Sequence, residues 1–422
     1  MIALLIIVFV VGYGAIAFEH SIKVNKSASA LLTGVVCWTI LALNGDPSTT
    51  EADLMHHFGE IGGILFFLLG AMTIVELVAA HNGFDLVTDS LNLKTKRALI
   101  WGISLLTFFL SAVLDNLTTT IVMVTLLRRL ISDTEGRMWA TGIVVIAANA
   151  GGAWSPIGDV TTTMLWIKGQ VTTGPLVLHL FLPSLVCVAV PLLLAGGRLR
   201  GMVQRPAAQR PGDDGLTAGQ RKVVLFAGLG SLLFVPVFKT LTHLPPVMGI
   251  LLMVGVLWII TELIHGGKDE EQRAPYTLVQ ALRGVDTPSV LFFLGILLSI
   301  SALQSAGVLS VLAQQLSAAL PDLHAQAVLI GLVSAVVDNV PLVAAAQGMY
   351  ADVFTTDNTF WIFLAYCAGT GGSALIIGSA AGVAAMGMER IGFFWYAKHI
   401  GWLALLGYLA GAATYLVQRA IF

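Results

Sequence analysis

Long apolar runs separated by short polar segments make up most of this 422-residue chain. A helix needs about 20 consecutive, mainly apolar residues to cross the hydrocarbon core of a membrane. By that measure the pattern predicts spans at residues 1–18, 27–43, 60–80, 138–167, 175–196, 222–238, 247–264, 289–305, 359–388 and 399–419. The chain is therefore predicted to be an all-α, polytopic membrane protein.

Two more apolar runs, residues 98–127 and 325–348, have flanks that a single crossing does not explain. Lysines and arginines lie on both sides of the first run, although such residues collect on the cytoplasmic side of a membrane. The second run has no lysine or arginine near either end. We expect each run to enter and leave on one side as a re-entrant hairpin, with tips at Asp115-Asn116 and Asp338-Asn339.

The distribution of basic residues indicates the direction of insertion. With both termini on the outer side, ten spans and two hairpins leave all but three of the 22 lysines and arginines on the cytoplasmic side. The exceptions are Lys168, Lys239 and Arg419. Other topologies scatter these residues more evenly, so we expect this orientation.

Three short motifs recur in the same order in both halves of the chain. The repeated pairs are Leu65-Phe66-Phe67-Leu68 with Leu291-Phe292-Phe293-Leu294, SAVLDN (111–116) with SAVVDN (334–339), and Gly151-Gly152-Ala153 with Gly371-Gly372-Ser373. Each half contains five spans and one hairpin, an odd number of crossings, so the second half is expected to be inserted upside down. Inverted-topology repeats place a shared binding site at mid-membrane in secondary transporters.

The repeat divides the chain into residues 1–196 and 222–422. The linker between them, residues 197–221, is polar, basic and rich in proline and glycine, which is typical of a cytoplasmic connector. In each half one long run, 138–167 or 359–388, would be about 45 Å long as a single helix, against a hydrocarbon core of about 30 Å. Both runs hold glycine pairs near the middle, so we expect helices broken at mid-membrane beside a polar cavity.

Composition narrows the class of protein further. Hydrophobic residues make up 57% of the chain and charged residues 11%, with a mean hydropathy of +0.87, which excludes a large soluble domain. The formal net charge of −2 gives no reason to expect nucleic-acid binding. The three cysteines lie in separate apolar runs and suit packing better than zinc or disulfides. We expect no enzyme activity and no cofactor.

Three aspartates lie deep within the apolar runs, at the predicted tips and breaks: Asp115, Asp159 and Asp338. A carboxylate at the centre of a bilayer costs about 2.5–3.5 kcal/mol on insertion scales, so such residues usually have a function. Helix capping is the structural alternative for the two tip aspartates, and both roles can hold together.

Neutral oxygen ligands surround these aspartates in the sequence. Amide and hydroxyl oxygens with one or two carboxylates make a shell for a hard cation, although a threonine often bonds back to its own helix. The candidate ligands beside the aspartates are Asn116, Thr118, Thr161, Thr162, Ser334, Asn339 and Ser373.

The paired SAVxDN tips, the GGAWSPIGDVTTTML break and the GTGGSALIIGSAAGVAAMG break resemble the NhaD-type sodium/proton antiporters of the ion transporter superfamily. The resemblance covers both halves. It implies a Na⁺ (or Li⁺)/H⁺ exchanger embedded in the lipid bilayer of the bacterial inner (plasma) membrane, and a homodimer with elevator-like movement. In such a membrane, the orientation expected from the basic residues puts both termini on the periplasmic side. The resemblance also implies that functional positions include Asp115, Asn116, Asp159, Thr161, Thr162, Ser334, Asp338, Asn339 and Ser373.

The residues support this interpretation independently. A buried carboxylate holds a proton until a cation displaces it, so one site can serve both ions in turn. We hypothesise that Asp115 and Asp159 form the main cation site, and that Asp338 supplies a second titrating group. Two coupled aspartates would allow two protons to be released per ion.

Three other functions fit parts of the pattern. A dicarboxylate or other anion transporter on this scaffold would need neutral tips rich in hydrogen-bond donors, which aspartates are not. An arsenite exporter also suits acidic tips, and the scarcity of accessible cysteine argues against it only weakly. An intramembrane aspartyl protease would bury two aspartates, but would need a water-filled cleft and a substrate gate.

Overall fold

The computed structural model describes residues 1–17, 19–84, 95–196, 202, 216–350 and 352–421. These residues are almost entirely helical, apart from an isolated bridge between Thr95 and Met202. The all-α architecture predicted from the sequence is confirmed. Most of the linker, residues 197–201 and 203–215, and the segment 85–94 lie outside the described residues.

Nine described helices precede the linker. They are α1 (Ile2–Ala17), α2 (Glu19–Ile22), α3 (Lys26–Asn44), α4 (Pro47–Ala80), α5 (Lys96–Leu114), α6 (Asn116–Leu130), α7 (Thr134–Ala153), α8 (Val160–Ile167) and α9 (Thr173–Ala195).

The helices described after the linker include several short ones. They are α10 (Ala218–Thr242), α11 (Pro246–His265), α12 (Glu270–Arg273), a 3₁₀ turn (Ala274–Tyr276), α13 (Leu278–Gly284), α14 (Thr287–Ser305), α15 (Val308–Ala319), α16 (Leu323–Val333), α17 (Asn339–Tyr350), α18 (Thr359–Gly371), α19 (Ala380–Glu389), α20 (Phe393–Tyr396), a π-helical turn (Ala397–Gly401) and α21 (Trp402–Ile421).

Eight helical segments of the described chain are long and apolar enough to cross a membrane unaided, which makes this a multi-pass membrane protein. They are α3, α4, α5, α9, α10, α11, α14 and Phe393–Ile421. The ten predicted spans include the first helix and the two broken helices, which are not among these eight, whereas α5 is among the eight although the sequence assigned it to a hairpin. In the structure α1 is short, and each broken helix consists of two separate pieces. A bend of 115° between α15 and α16, which the sequence pattern did not predict, turns the chain into the second hairpin.

The first predicted hairpin doubles back at Asp115, the residue between α5 and α6. Its two ends meet, because Lys96 Nζ lies 2.8 Å from Asp133 Oδ2. A 19-residue helix is about 28 Å long, so this contact requires the chain to return to the side from which it came. The hydrogen bond from Lys96 also holds the pKa of Asp133, which lies in the loop outside the helices, below its usual value.

The second predicted hairpin has the same construction. Helices α16 and α17 are separated by residues 334–338, and the hydroxyl of Tyr350 donates to Gln326 Oε1 at 2.6 Å. This bond joins the last residue of α17 to the first turn of α16. The tips of both hairpins lie inside the helix bundle, since Asn116 and Asn339 are both buried.

Each hairpin packs backbone against backbone on the broken helix of its own half. A Cβ atom added to Gly151 would collide with the carbonyl oxygen of Phe108, and one added to Gly371 would collide with that of Gly331. One turn further on, Ser111 Oγ donates to Ala148 O at 2.6 Å. The contacts in the two halves thus repeat pair by pair, while the inverted orientation of the halves in a membrane stays a prediction.

An ion-pair cluster fixes the first hairpin to the second broken helix. Glu389, at the end of α19, receives Arg128 Nε on one carboxylate oxygen and Arg137 Nε on the other, both at 2.6 Å. The Glu389 side chain is only 1% exposed. The halves are therefore joined at the base of the first hairpin.

We expect Gly371→Ala to destabilise the protein by about 1–3 kcal/mol, the usual cost of overpacking a close contact. The neighbouring atom is a backbone carbonyl and cannot rotate away. Gly387→Ala is the matched control, since a Cβ there meets open space in the helix α19, and alanine favours a helix over glycine by about 1 kcal/mol. The melting temperature in detergent should fall for Gly371→Ala and rise for Gly387→Ala. Equal shifts in the two variants would contradict the close packing at Gly371.

Candidate ion-binding site

The hairpin tips and the first broken helix meet at a cavity of about 60 Å³. The cavity has two unlike walls. The polar wall consists of the tips and break, with Asp115, Asn116, Asp159, Asp338 and Asn339. The apolar wall comes from α4, α10, α11 and α14, with Phe67, Leu68, Met72, Leu232, Val235, Ile250, Phe292 and Phe293. A space of this size with several polar neighbours can hold water or a small ion.

Asp115 forms the first tip and has two roles at once. Its side chain caps α6, because Oδ1 accepts the backbone N–H of Thr118 at 2.8 Å and Oδ2 accepts the Thr118 hydroxyl at 2.8 Å. Its backbone has φ +91°, a conformation that residues other than glycine rarely adopt and that typically costs about 1–3 kcal/mol. Such strain is concentrated at ligand sites, and Asp115 also lines the cavity.

Asp159 is the centre of the polar wall and is only 2% exposed. Its Oδ2 accepts the hydroxyl of Thr161 at 2.7 Å. Asn116 Nδ2, from the first tip, lies 3.3 Å from Asp159 Oδ1, and Asn339 Nδ2, from the second tip, lies 3.4 Å from Oδ2. The two halves of the chain thus contribute equivalent amides to one carboxylate.

Asn149 extends this network and was not among the residues predicted from the sequence. Its Oδ1 accepts Asn116 Nδ2 at 3.0 Å, while its Nδ2 donates to Ser373 Oγ at 2.8 Å and to Ser379 Oγ at 2.9 Å. The amide is fully buried, and these bonds offset the cost of its desolvation. An asparagine just before a glycine pair inside an apolar run was the signal that could have identified it.

The second tip brings a basic residue to the site. Asp338 Oδ1 accepts the backbone N–H of Val340 at 3.2 Å, and Asp338 Oδ2 lies 4.0 Å from Lys26 Nζ. The topology prediction treated Lys26 as an ordinary cytoplasmic lysine. In the structure it begins α3 and lines the same cavity as the three aspartates.

With this geometry established, comparisons with known proteins place the chain among transporters. A family profile described as citrate transporter (CitMHS) matches residues 1–369. The chain belongs to this transporter family. It is 53% identical to sodium/proton antiporter 1 of Arabidopsis thaliana, in an alignment that covers 97% of this chain and 71% of that relative. It is 49% identical to sodium/proton antiporter 2 of the same plant, with 97% of this chain and 98% of that relative covered. It is 29% identical to the Na⁺/H⁺ antiporter NhaD of Vibrio cholerae, with 98% of this chain and 91% of that relative covered. The predicted resemblance to NhaD-type antiporters is confirmed.

Several predicted ligands of this CitMHS family member lie behind the cavity rather than in its wall. Ser334 Oγ donates to the backbone carbonyls of Gly331 at 2.7 Å and Ala368 at 3.4 Å, so it joins the second hairpin to α18. Thr118 and Thr161 contact aspartates, and Ser373 contacts Asn149. The Thr162 hydroxyl is buried without a hydrogen-bond partner. These residues support the wall, while the three aspartates and two tip asparagines form its surface.

The oxygen atoms around the cavity of this CitMHS protein suit a small cation that binds reversibly. Carboxylate, amide and hydroxyl oxygens are the ligands that hard cations prefer. The described residues contain no group of three or more histidine, cysteine, aspartate or glutamate side chains gathered as a tight metal cluster requires.

Proposed function

We propose that this protein exchanges Na⁺ or Li⁺ for H⁺ across the bacterial inner membrane, with no cofactor and with periplasmic termini. The main supporting observation is Asp159, a buried carboxylate that receives an amide from each hairpin tip. The names of the Arabidopsis and NhaD relatives, sodium/proton antiporters, agree with this function. From the similarity to these relatives, we also propose that the protein is a homodimer with elevator-like movement.

The hydrogen bonds of Asp159 suggest how the empty site is stabilised. Without a cation, the amide N–H groups of Asn116 and Asn339 neutralise part of the carboxylate charge. Rotation of either amide by half a turn would exchange its N–H for its carbonyl oxygen. In our proposal Na⁺ triggers this rotation and is bound by Asp159 together with the two amide oxygens.

Proton exchange follows from the burial of the carboxylates away from water. A carboxylate shielded from water is stable only when it is paired or protonated, so the site favours occupancy by either H⁺ or Na⁺. We assign this exchange to Asp115 and Asp159, with Asp338 as the further acidic group in the cavity. Release of protons as Na⁺ binds would make transport faster in alkaline conditions.

The family description raises citrate as a second substrate class. A citrate anion would face three carboxylates in the cavity wall, and like charges in a site of low dielectric repel strongly. Arsenite remains the other alternative from the sequence. The cysteines Cys37, Cys187 and Cys367 are buried, and none of them lines the cavity, which gives a thiol-seeking substrate no ligand there.

Everted membrane vesicles from a host without its own antiporters provide the test. A pH gradient is built up by respiration, and Na⁺, Li⁺, K⁺, citrate or arsenite is then added at neutral and at alkaline pH. We expect Na⁺ or Li⁺ to collapse the gradient, faster in alkaline conditions. No response to either ion from correctly inserted protein, with a response to citrate or arsenite, would replace the proposed function.

A further inference from the structure

Lys26 places an ammonium group inside the acidic cavity. Nζ lies 4.0 Å from Asp338 Oδ2 and 4.5 Å from the centroid of the Phe292 ring. Lys26 is the basic residue among the side chains that line this cavity. A positive charge built into a cation site is a direct competitor of the transported cation.

The backbone around Lys26 is firmly held. Asn25 caps α3 by accepting the N–H of Ser27 at 2.8 Å, and Ser27 Oγ donates to Pro288 O at 2.6 Å. The N–H of Lys26 itself donates to Glu19 Oε1 at 3.1 Å. These bonds fix the first turn of α3 against α14, so the fold itself determines where the ammonium lies.

The Lys26 side chain does not behave as a lysine at a membrane surface usually does. Such a lysine extends its charge into water. Here the side chains of Lys26 and Asp338 are only 28% and 20% exposed. Among the described residues, Asp338 is the carboxylate within ion-pair distance of Nζ, while Asp115 and Asp159 line the same cavity.

We propose that Lys26 is an internal competitor of Na⁺, which pairs with Asp338 in the empty site and thereby sets the apparent affinity for the ion. This inference rests on the proposed function and adds to it a residue that tunes ion binding. When Na⁺ enters the cavity, the ammonium must give up its carboxylate. Part of the free energy of ion binding is then used for this displacement, which keeps binding weak enough for release.

Na⁺ binding to the purified full-length protein, measured by isothermal titration calorimetry in choline buffer at one fixed pH, tests the proposal. Removing the ammonium leaves the Asp338 carboxylate free to attract the ion in a partly buried site, so Lys26→Gln should lower the Kd for Na⁺ by about tenfold. Lys26→Arg keeps the charge and should remain close to the wild-type Kd. Lys23→Gln removes an exposed charge three residues away and serves as the control, with no change expected.

Chemical complementation separates a competing charge from a structural role. Lys26→Ala leaves space where the side chain was, and methylammonium should then compete with Na⁺ and raise its Kd towards the wild-type value. The wild-type protein should not respond to methylammonium. In an Asp338→Asn background, where the partner carboxylate is absent, Lys26→Gln should change the Kd much less than in the wild type.

Unchanged or weaker Na⁺ binding by folded Lys26→Gln would overturn the inference, and so would equal tightening in the Asp338→Asn background. If Lys26→Gln does not fold, Lys26→Met retains the apolar stem and has the same expected effect. A wild-type protein that binds no Na⁺ would refute the proposed function itself. Wild-type binding with no effect of Lys26 would refute only this inference.

Discussion

Asp159→Asn should reduce Na⁺-driven proton movement by at least about 100-fold, equivalent to about 3 kcal/mol of lost binding to the ion. The substitution keeps the shape of the side chain and an oxygen that can accept from Thr161, Asn116 or Asn339. It removes the charge proposed to hold Na⁺ and the group proposed to hold the proton. Both half-reactions of the exchange should therefore fail together.

The measurement is collapse of the pH gradient in vesicles, with the amount of inserted protein determined in the same preparation. Asp269→Asn is the control, since that carboxylate is exposed and makes no capping bond. Exchange at a rate near that of the wild type in Asp159→Asn would show that the buried carboxylate is not the ion site.

Asp115→Asn should also abolish exchange, yet leave the fold almost unchanged. Asparagine is as good an N-cap as aspartate, so the bond from the Thr118 N–H to the side chain can persist. The negative charge facing the cavity is lost. The variant thus separates the capping role of Asp115 from its proposed role in holding the cation.

Asp322→Asn is a matched control for this variant. Asp322 caps α16 in the same manner, accepting the N–H groups of His324 at 2.8 Å and Ala325 at 3.0 Å, but it lies on the surface away from the cavity. We expect both variants to have melting temperatures near that of the wild type and only Asp115→Asn to lose exchange. Loss of stability without loss of specific activity in Asp115→Asn would reduce its role to capping.

The parts of the site that the sequence predicts are those encoded by local chemistry. An aspartate inside an apolar run must be explained by function or by capping, and glycine pairs in an overlong run indicate a broken helix. These signals located Asp115, Asp159 and Asp338 together with both breaks. The structure brings all three aspartates to one cavity, as the duplicated tips suggested.

The residues that sequence analysis missed depend on contacts between distant segments. Lys26 looks like a cytoplasmic lysine until α3 is packed on α14, with Ser27 bonded to Pro288. Asn149 shows its role only when Ser373 and Ser379 of the other half are placed beside it. Conversely, Ser334 was expected at the ion, but its hydroxyl binds backbone carbonyls instead. Neither periodicity nor charge distribution contains this information.

The bonding of Asp159 by amides from both sides of the linker has a consequence for assembly. Asn116 precedes the linker and Asn339 follows it, so the proposed binding site is shared between two pieces of chain that could be made as two subunits. A ligand that binds only the joined form must, by linkage, strengthen the joining. In a protein cut within residues 197–221, the transported cation would thus act as an effector of heterodimerisation, and the affinity of the fragments for each other would depend on Na⁺ concentration.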